Sequence, residues 1–203
     1  MIVQDNPNLS TLPLVLASTS PYRKNVLNRL HIPFTTFAPN IDETPQPSEF
    51  PTALVARLSE SKTRAAQSIY PKALVIGSDQ IALLDNKTIL GKPGGHEQAV
   101  QQLSLVSGKQ VDFLTGLCLL NTESNQTQID IVRFSVIFRE LTSRQIENYL
   151  RQDKPYNCSG SFKSEGLGIV LIEQMLGNDP TAIIGLPLIR LVRMLEVERV
   201  AII

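Results

Sequence analysis

Apolar positions follow two periods along this chain, and the switches between them divide it into elements. Leu14, Val15, Leu16 and Ala17 form an unbroken apolar run, the pattern of a strand buried on both faces. Ser18, Thr19 and Ser20 then offer helix caps, Pro21 suits a first helical position, and Val26, Leu27 and Leu30 give the helix an apolar face. Residues 34–38 read as a second strand. Four prolines between 39 and 51 make that stretch a loop, with Asp42, Glu43 and Thr44 inside it. Residues 52–69 predict a helix whose stripe runs through Leu54, Leu58, Ala65 and Ile69, and Lys62 falls on that stripe.

Residues 73–77 predict another buried strand that ends in Ser78, Asp79 and Gln80, with residues 81–84 extended beyond it. Asp85 and Asn86 turn the chain, and a loop from Gly91 to Gly95 leads into a helix from about 97 to 106. Residues 111–120 and 129–138 form a hairpin around Glu123, Ser124 and Asn125. A helix over 142–151 is capped by Thr142, residues 159–168 form a glycine-bearing loop, and 187–196 close the pattern as a helix. Strands and helices alternate around a central hairpin. This predicts an α/β fold, a mixed central β-sheet flanked by helices. The hairpin can root a second lobe, giving a two-lobed shape with a cleft.

Composition narrows the function. Of 203 residues, 42% are hydrophobic, enough for a sizeable core and against disorder. Nineteen basic residues balance nineteen acidic ones, so no bulk field marks a partner in nucleic acid or a membrane surface. An anionic ligand must therefore be held by cations gathered locally. Cys118 and Cys158 are too few for a disulfide framework, and His31 and His96 lie too far apart in sequence to suggest a histidine metal site. Residues 1–13 combine Asp5 with two prolines and two asparagines and hold no apolar run, so they read as a flexible lead-in and not a signal peptide. No apolar stretch approaches membrane-spanning length, which leaves the cytoplasm by elimination.

Candidate chemistry clusters at the loops. A strand followed by Ser18, Thr19, Ser20 and a helix start is either a phosphate site, with hydroxyls and N–H groups at the helix end and an anion offsetting Arg23 and Lys24 against the dipole, or an ordinary capped helix with solvated charges. Asp79, at the carboxyl end of a strand, can bind a metal ion or accept a proton from water, or serve as a plain turn residue. Lys62 on its apolar stripe either snorkels outward or points into a charged cleft. Lys92 and Lys163 sit in glycine-bearing loops. Five cations and three carboxylates (Glu43, Asp79, Glu165) suit a polyphosphate site in which a carboxylate, with a divalent ion, activates water.

Seven ordered segments add a resemblance: 14–23, 41–45, 75–80, 91–93, 115–116, 160–166 and 179–187. Together they resemble the Maf-like nucleotide pyrophosphatases over nearly the whole chain, which implies one Maf-like domain over 14–203. The resemblance implies hydrolysis of a nucleoside triphosphate to a monophosphate and pyrophosphate with magnesium or manganese, in a family that often forms homodimers. It maps the proton acceptor onto Asp79, phosphate contacts onto Ser18, Arg23, Lys62 and Lys92, and an acidic metal or water partner onto Glu43. Lys24 departs from the second arginine of many members and loses the bidentate fork. Tyr22, Gln80 and Glu165 resemble the branch that acts on 7-methyl-GTP, removing a modified nucleotide. The alternatives are the branch acting on dTTP and UTP, and a non-catalytic nucleotide-binding regulator of cell division. An aromatic face and a carboxylate suit a guanine made cationic by methylation.

Overall fold

The structure is a computed structural model, and it describes residues 10–203. Its elements in chain order are β1 (Leu14–Ala17), α1 (Pro21–Leu27), β2 (Phe34–Phe37), α2 (Pro51–Arg64), β3 (Leu74–Leu84), β4 (Thr88–Leu90), α3 (His96–Val106), β5 (Gln110–Asn121), β6 (Gln126–Phe138), α4 (Ser143–Asp153), β7 (Ile172–Leu176) and α5 (Leu188–Val197). Six strands run in the order β2-β1-β3-β5-β6-β7, and β4 pairs with β3 off that path. The pairings β2–β1 and β1–β3 are parallel and all others antiparallel, so the predicted mixed α/β sheet is what forms.

Alternation along each strand decides which helix it meets. In β1, Leu14 and Leu16 join Leu74, Ile76, Leu117 and Leu119 beneath α1 and α5. Val15 and Ala17 face the other way, toward Ala66 at the end of α2. Further along the sheet, Ala82, Leu84, Val111 and Phe113 pack with Leu103 of α3 and Leu150 of α4. Each fully buried leucine among these contributes about 1.5–3 kcal/mol. No helix among the described residues is long and apolar enough to cross a membrane.

Several elements differ from the sequence expectation. Strand β3 does not end at residue 77 but continues to Leu84, because β5 pairs with it along its whole length from Leu74↔Asn121 to Leu84↔Val111. Helix α2 stops at Arg64, where hydrogen bonds tighten to three-residue steps such as Gln67 N–H to Arg64 O. The tighter turn rotates the stripe, so Ala66 is buried and Ile69 stands 60% exposed. Strands β4 and β7 are additions, and β6 begins at Gln126. Of the expected lead-in, residues 1–9 lie outside the described residues. Ser10 N–H donates to Arg199 O, and Pro13 O accepts from Leu74 N–H.

Candidate active site

The site begins with a gap in the sheet. One edge of β3 is fully paired with β5. The other edge meets β1 at residues 74–76 and β4 at residues 82–84, leaving 77–81 without a strand partner. Asp79 and Gln80 lie in that gap. They sit mid-strand rather than past the end of β3, but just beyond the carboxyl end of its parallel neighbour β1, where open α/β sheets bind ligands. A cavity of about 730 Å³ opens there, lined by Ser18, Tyr22, Arg23, Glu43, Lys62, Asp79, Gln80, Lys92 and Glu165.

Two glycines bring α2 close enough to furnish one wall. A Cβ on Gly77 would fall 2.3 Å from Ser59 O, and one on Gly116 2.3 Å from Val55 O. The helix therefore rests on the backbone of β3 and β5. Ser59 Oγ donates to Val55 O at 2.6 Å and accepts the Asp79 N–H at 3.0 Å, supplying a partner in the unpaired gap. One turn on, buried Lys62 reaches Asp79 Oδ1 at 2.5 Å and Glu43 Oε1 at 2.8 Å.

Glu43 arrives on the proline-bearing loop, which Arg57 of α2 holds down. Arg57 binds Glu49 through Nε at 2.6 Å and Nη2 at 2.8 Å, and donates to Thr44 O at 3.1 Å. Burial works against the Glu43 carboxylate. The hydrogen bond and charge of Lys62, with Lys92 and Arg23 behind, nonetheless hold its pKa below the ordinary value.

The opposite wall comes from the chain's last loop. Asp179 is buried and accepts hydrogen bonds from Thr181 N–H, Thr181 Oγ1 and Ile189 N–H, which caps α5 and fixes the turn between. Carbonyls of that turn then point at β3. Ser78 Oγ lies 2.8 Å from Gly185 O, and Arg23 Nε donates to the same oxygen at 2.8 Å. Gly185 has φ 105, a conformation that favours glycine, and a Cβ there would meet Arg23 Nε at 3.3 Å. Burial lowers the Arg23 pKa, and the charges of Asp79 and Glu43 oppose that shift. The Gln80 amide nitrogen donates to Ala182 O at 2.7 Å and Thr115 Oγ1 at 2.9 Å. With its N–H groups so engaged, its carbonyl oxygen is the half of the amide left for a ligand donor.

A third group gathers around Tyr22. Burial, then Cys158 beside it, pushes the phenol up to about 12, so it stays neutral. Lys163 Nζ stands 5.9 Å from the Tyr22 ring centroid. Glu165 is exposed, accepts from Ser164 Oγ at 3.2 Å, and enters no ion pair among the described residues. Ser18 is buried, and its oxygen accepts the Ser20 N–H at 3.1 Å.

Ten of the eleven expected site residues thus line or adjoin one cavity. Lys24 does not: it is exposed beside a shallow depression with Asn28, Phe34 and Thr36. Lys24 lies about 100° beyond Arg23 around α1, on the side turned to solvent, while Tyr22 and Arg23 lie on the side turned to the cavity. Arg57, Glu49 and Ser59 escaped the sequence reading, since an arginine or serine on a helix carries no local mark of its partner. No group of three or more His, Cys, Asp and Glu side chains gathers to hold a metal among the described residues. The donor set is smaller, with Asp79 and Glu43 converging on one ammonium.

Comparison with known proteins then decides the family. A sequence model of the Maf-like protein family matches residues 13–198. The chain belongs to the Maf-like family. Among the relatives of this Maf-like protein is a 7-methyl-GTP pyrophosphatase of Nitrosococcus oceani, 55% identical over 94% of this chain and 95% of its own. Another 7-methyl-GTP pyrophosphatase, from Pseudomonas fluorescens, is 53% identical over 93% of this chain and 98% of its own. A third, from Methylobacillus flagellatus, is 50% identical over 94% and 99%.

Proposed function

We propose that this Maf-like protein hydrolyses 7-methyl-GTP to 7-methyl-GMP and pyrophosphate, acting in the cytoplasm on modified nucleotides. The observation that carries the reading is Lys62 held between Asp79 and Glu43 in a cavity that also presents Arg23 and Lys92. The names of the relatives support the same substrate.

The chemistry follows from charge. Arg23, Lys62 and Lys92 offset the phosphate charge and hold the chain of phosphates in place. Asp79 accepts a proton from water as the water oxygen bonds to the α-phosphorus. The bond from that phosphorus to the bridging oxygen breaks, and the oxygen leaves with pyrophosphate. Lys62 keeps Asp79 and Glu43 oriented for this step. Two carboxylates facing substrate phosphates match the partial oxygen donor set that magnesium or manganese accepts, so Asp79 and Glu43 would hold such an ion. When bound it neutralises phosphate charge and makes water more acidic.

Base choice falls to the third group. Tyr22 offers an aromatic face, Glu165 an uncompensated negative charge, and Gln80 an oriented carbonyl. All three favour a ring that is cationic and rich in donors. A ring stacked on Tyr22 takes the face opposite Lys163 or displaces that lysine.

The test is a panel of 7-methyl-GTP, GTP, dTTP and UTP with magnesium and with manganese, followed by chromatography of the products. Pyrophosphate release, fastest from 7-methyl-GTP, is the expected result. Orthophosphate with a nucleoside diphosphate would overturn the reaction, and faster turnover of dTTP or UTP would overturn the substrate.

A further inference from the structure

Two loops of the cavity are joined through one side chain that the proposed chemistry leaves unused. Gln102 lies on α3 among Ala99, Leu103 and Val106, on the helix face that packs into the core. It is only 8% exposed. A primary amide in such a place costs stability unless both its ends are bonded. Both are, and to different loops. Its Nε2 donates to Gly91 O at 3.2 Å, on the loop that carries Lys92. Its Oε1 accepts from Ser161 Oγ at 2.6 Å, on the loop that carries Lys163 and Glu165.

The surroundings show how tightly that junction is made. Gly91 O also accepts the Gly160 N–H at 3.2 Å, so each loop touches the other directly as well as through Gln102. Ser161 is fully buried with φ 56, a left-handed conformation that serine adopts at a cost. Its bond to Gln102 is one interaction that repays this. Farther out, Gly94 N–H donates to Tyr156 O at 3.0 Å, and His96 Nδ1 lies 3.0 Å from Tyr156 Oη. The loops are therefore fastened at two levels, and only the inner one places a single side chain with one end on each.

We infer that Gln102 is a positioning residue whose amide nitrogen sets the Lys92 loop for phosphate binding and whose amide oxygen sets the Glu165 loop for base selection. This rests on the roles proposed above for Lys92 and Glu165. The two ends of one amide thereby control two separable properties of the site.

Separability is the test. Base selection is read as the ratio of kcat/KM for 7-methyl-GTP and UTP, and phosphate binding as the inhibition constant of inorganic triphosphate. Ser161→Ala removes only the hydroxyl that Gln102 Oε1 accepts. It should lower the base ratio about three- to tenfold, the effect of one neutral hydrogen bond, and leave triphosphate inhibition unchanged. Gln102→Glu keeps an acceptor for Ser161 but cannot donate to Gly91 O when ionised. It should keep the base ratio and weaken triphosphate by a similar factor. Gln102→Leu should lose both. Ser161→Ala and Gln102→Glu shifting both readouts in parallel would reduce Gln102 to packing and overturn the inference, as would Gln102→Leu leaving both within about twofold. If Gln102→Leu fails to fold, the Ser161→Ala result decides alone. A wild type that prefers another base defeats the proposed substrate and not this inference: that base then enters the ratio, and the same split is expected.

Discussion

The contact between α2 and the sheet leads to a sharp prediction for Gly116→Ala. A Cβ there would lie 2.3 Å from Val55 O, 2.5 Å from Ser59 Oγ and 2.7 Å from Val55 C. Ordinary carbon–oxygen contact begins near 3.4 Å, so α2 and β5 must part by about 1 Å. Two of the three obstructing atoms are backbone, and no rotamer change relieves them. Overpacking of this kind costs about 1–3 kcal/mol. For a chain of this size that is a fall in Tm of roughly 2–12 °C. The same displacement carries Lys62, two turns along the helix from Val55, away from Asp79. A misplacement of about 1 Å can cost on the order of 10²-fold in kcat/KM. Calorimetry and steady-state kinetics on one preparation read both effects. Gly91→Ala is the control for stability, because nothing lies within 4 Å of its added Cβ and its Tm should hold. A Gly116→Ala protein with wild-type Tm and activity would refute the argument that close helix approach builds the Lys62–Asp79 pair.

Asp79→Asn should lower turnover by about 10²–10⁴-fold, the usual cost of losing a general base, with little change in Tm, because an asparagine oxygen can still accept from Lys62. Near-normal turnover would remove Asp79 from the chemistry. Glu165→Gln should reduce the preference for 7-methyl-GTP over UTP by roughly 10- to 100-fold, since a charged partner of a cationic base becomes neutral. An unchanged kcat/KM ratio would show that Glu165 does not read the base. The hydrogen bond from Arg57 pulls the Glu49 pKa down from 4.5 to about 2. A depressed carboxylate adds stability that is complete above its unfolded pKa and disappears as pH falls through the folded one. Glu49→Gln should therefore lower Tm near neutrality, and the gap to wild type should close between pH 4.5 and about 2. A gap that is constant across that window would assign the loss to packing.

Legibility in the sequence tracked how local each determinant is. Helix α4 was readable to within a residue or two because its cap, Thr142, stands directly before the first turn, and in the structure Gln145 completes that cap as a capping box. Strand β1 was readable because burial on both faces leaves an unbroken apolar run. The length of β3 was not, since Ser78, Asp79 and Gln80 look like a loop until β5 pairs across from them. Strand β7 shows no alternation to read, and its pairing with β6 shifts register near Ile137. Local pattern and charge singled out Ser18, Arg23, Lys24, Glu43, Lys62, Asp79, Lys92, Lys163 and Glu165, and the resemblance gave most of them roles and added Tyr22 and Gln80 as base-reading residues. The supports were missed. Nothing near Arg57 announces Glu49, and nothing near Gln102 announces Ser161, because these partners meet only after the chain has folded.

The bond from Arg23 to Gly185 spans 162 residues. Translation proceeds at about 5–20 residues per second, so Arg23 is made roughly 8–32 s before its anchor exists. Gln80 and Ser78 wait for the same final turn, whose carbonyls receive their donors. Once Lys92 has been made, the unfinished chain holds the residues proposed for phosphate chemistry but still lacks the turn that anchors Arg23, Ser78 and Gln80. A fragment ending before Asp179 should therefore be silent toward nucleotides even where its sheet has formed. On this account the timing of synthesis itself keeps incomplete copies from acting on the nucleotide pool.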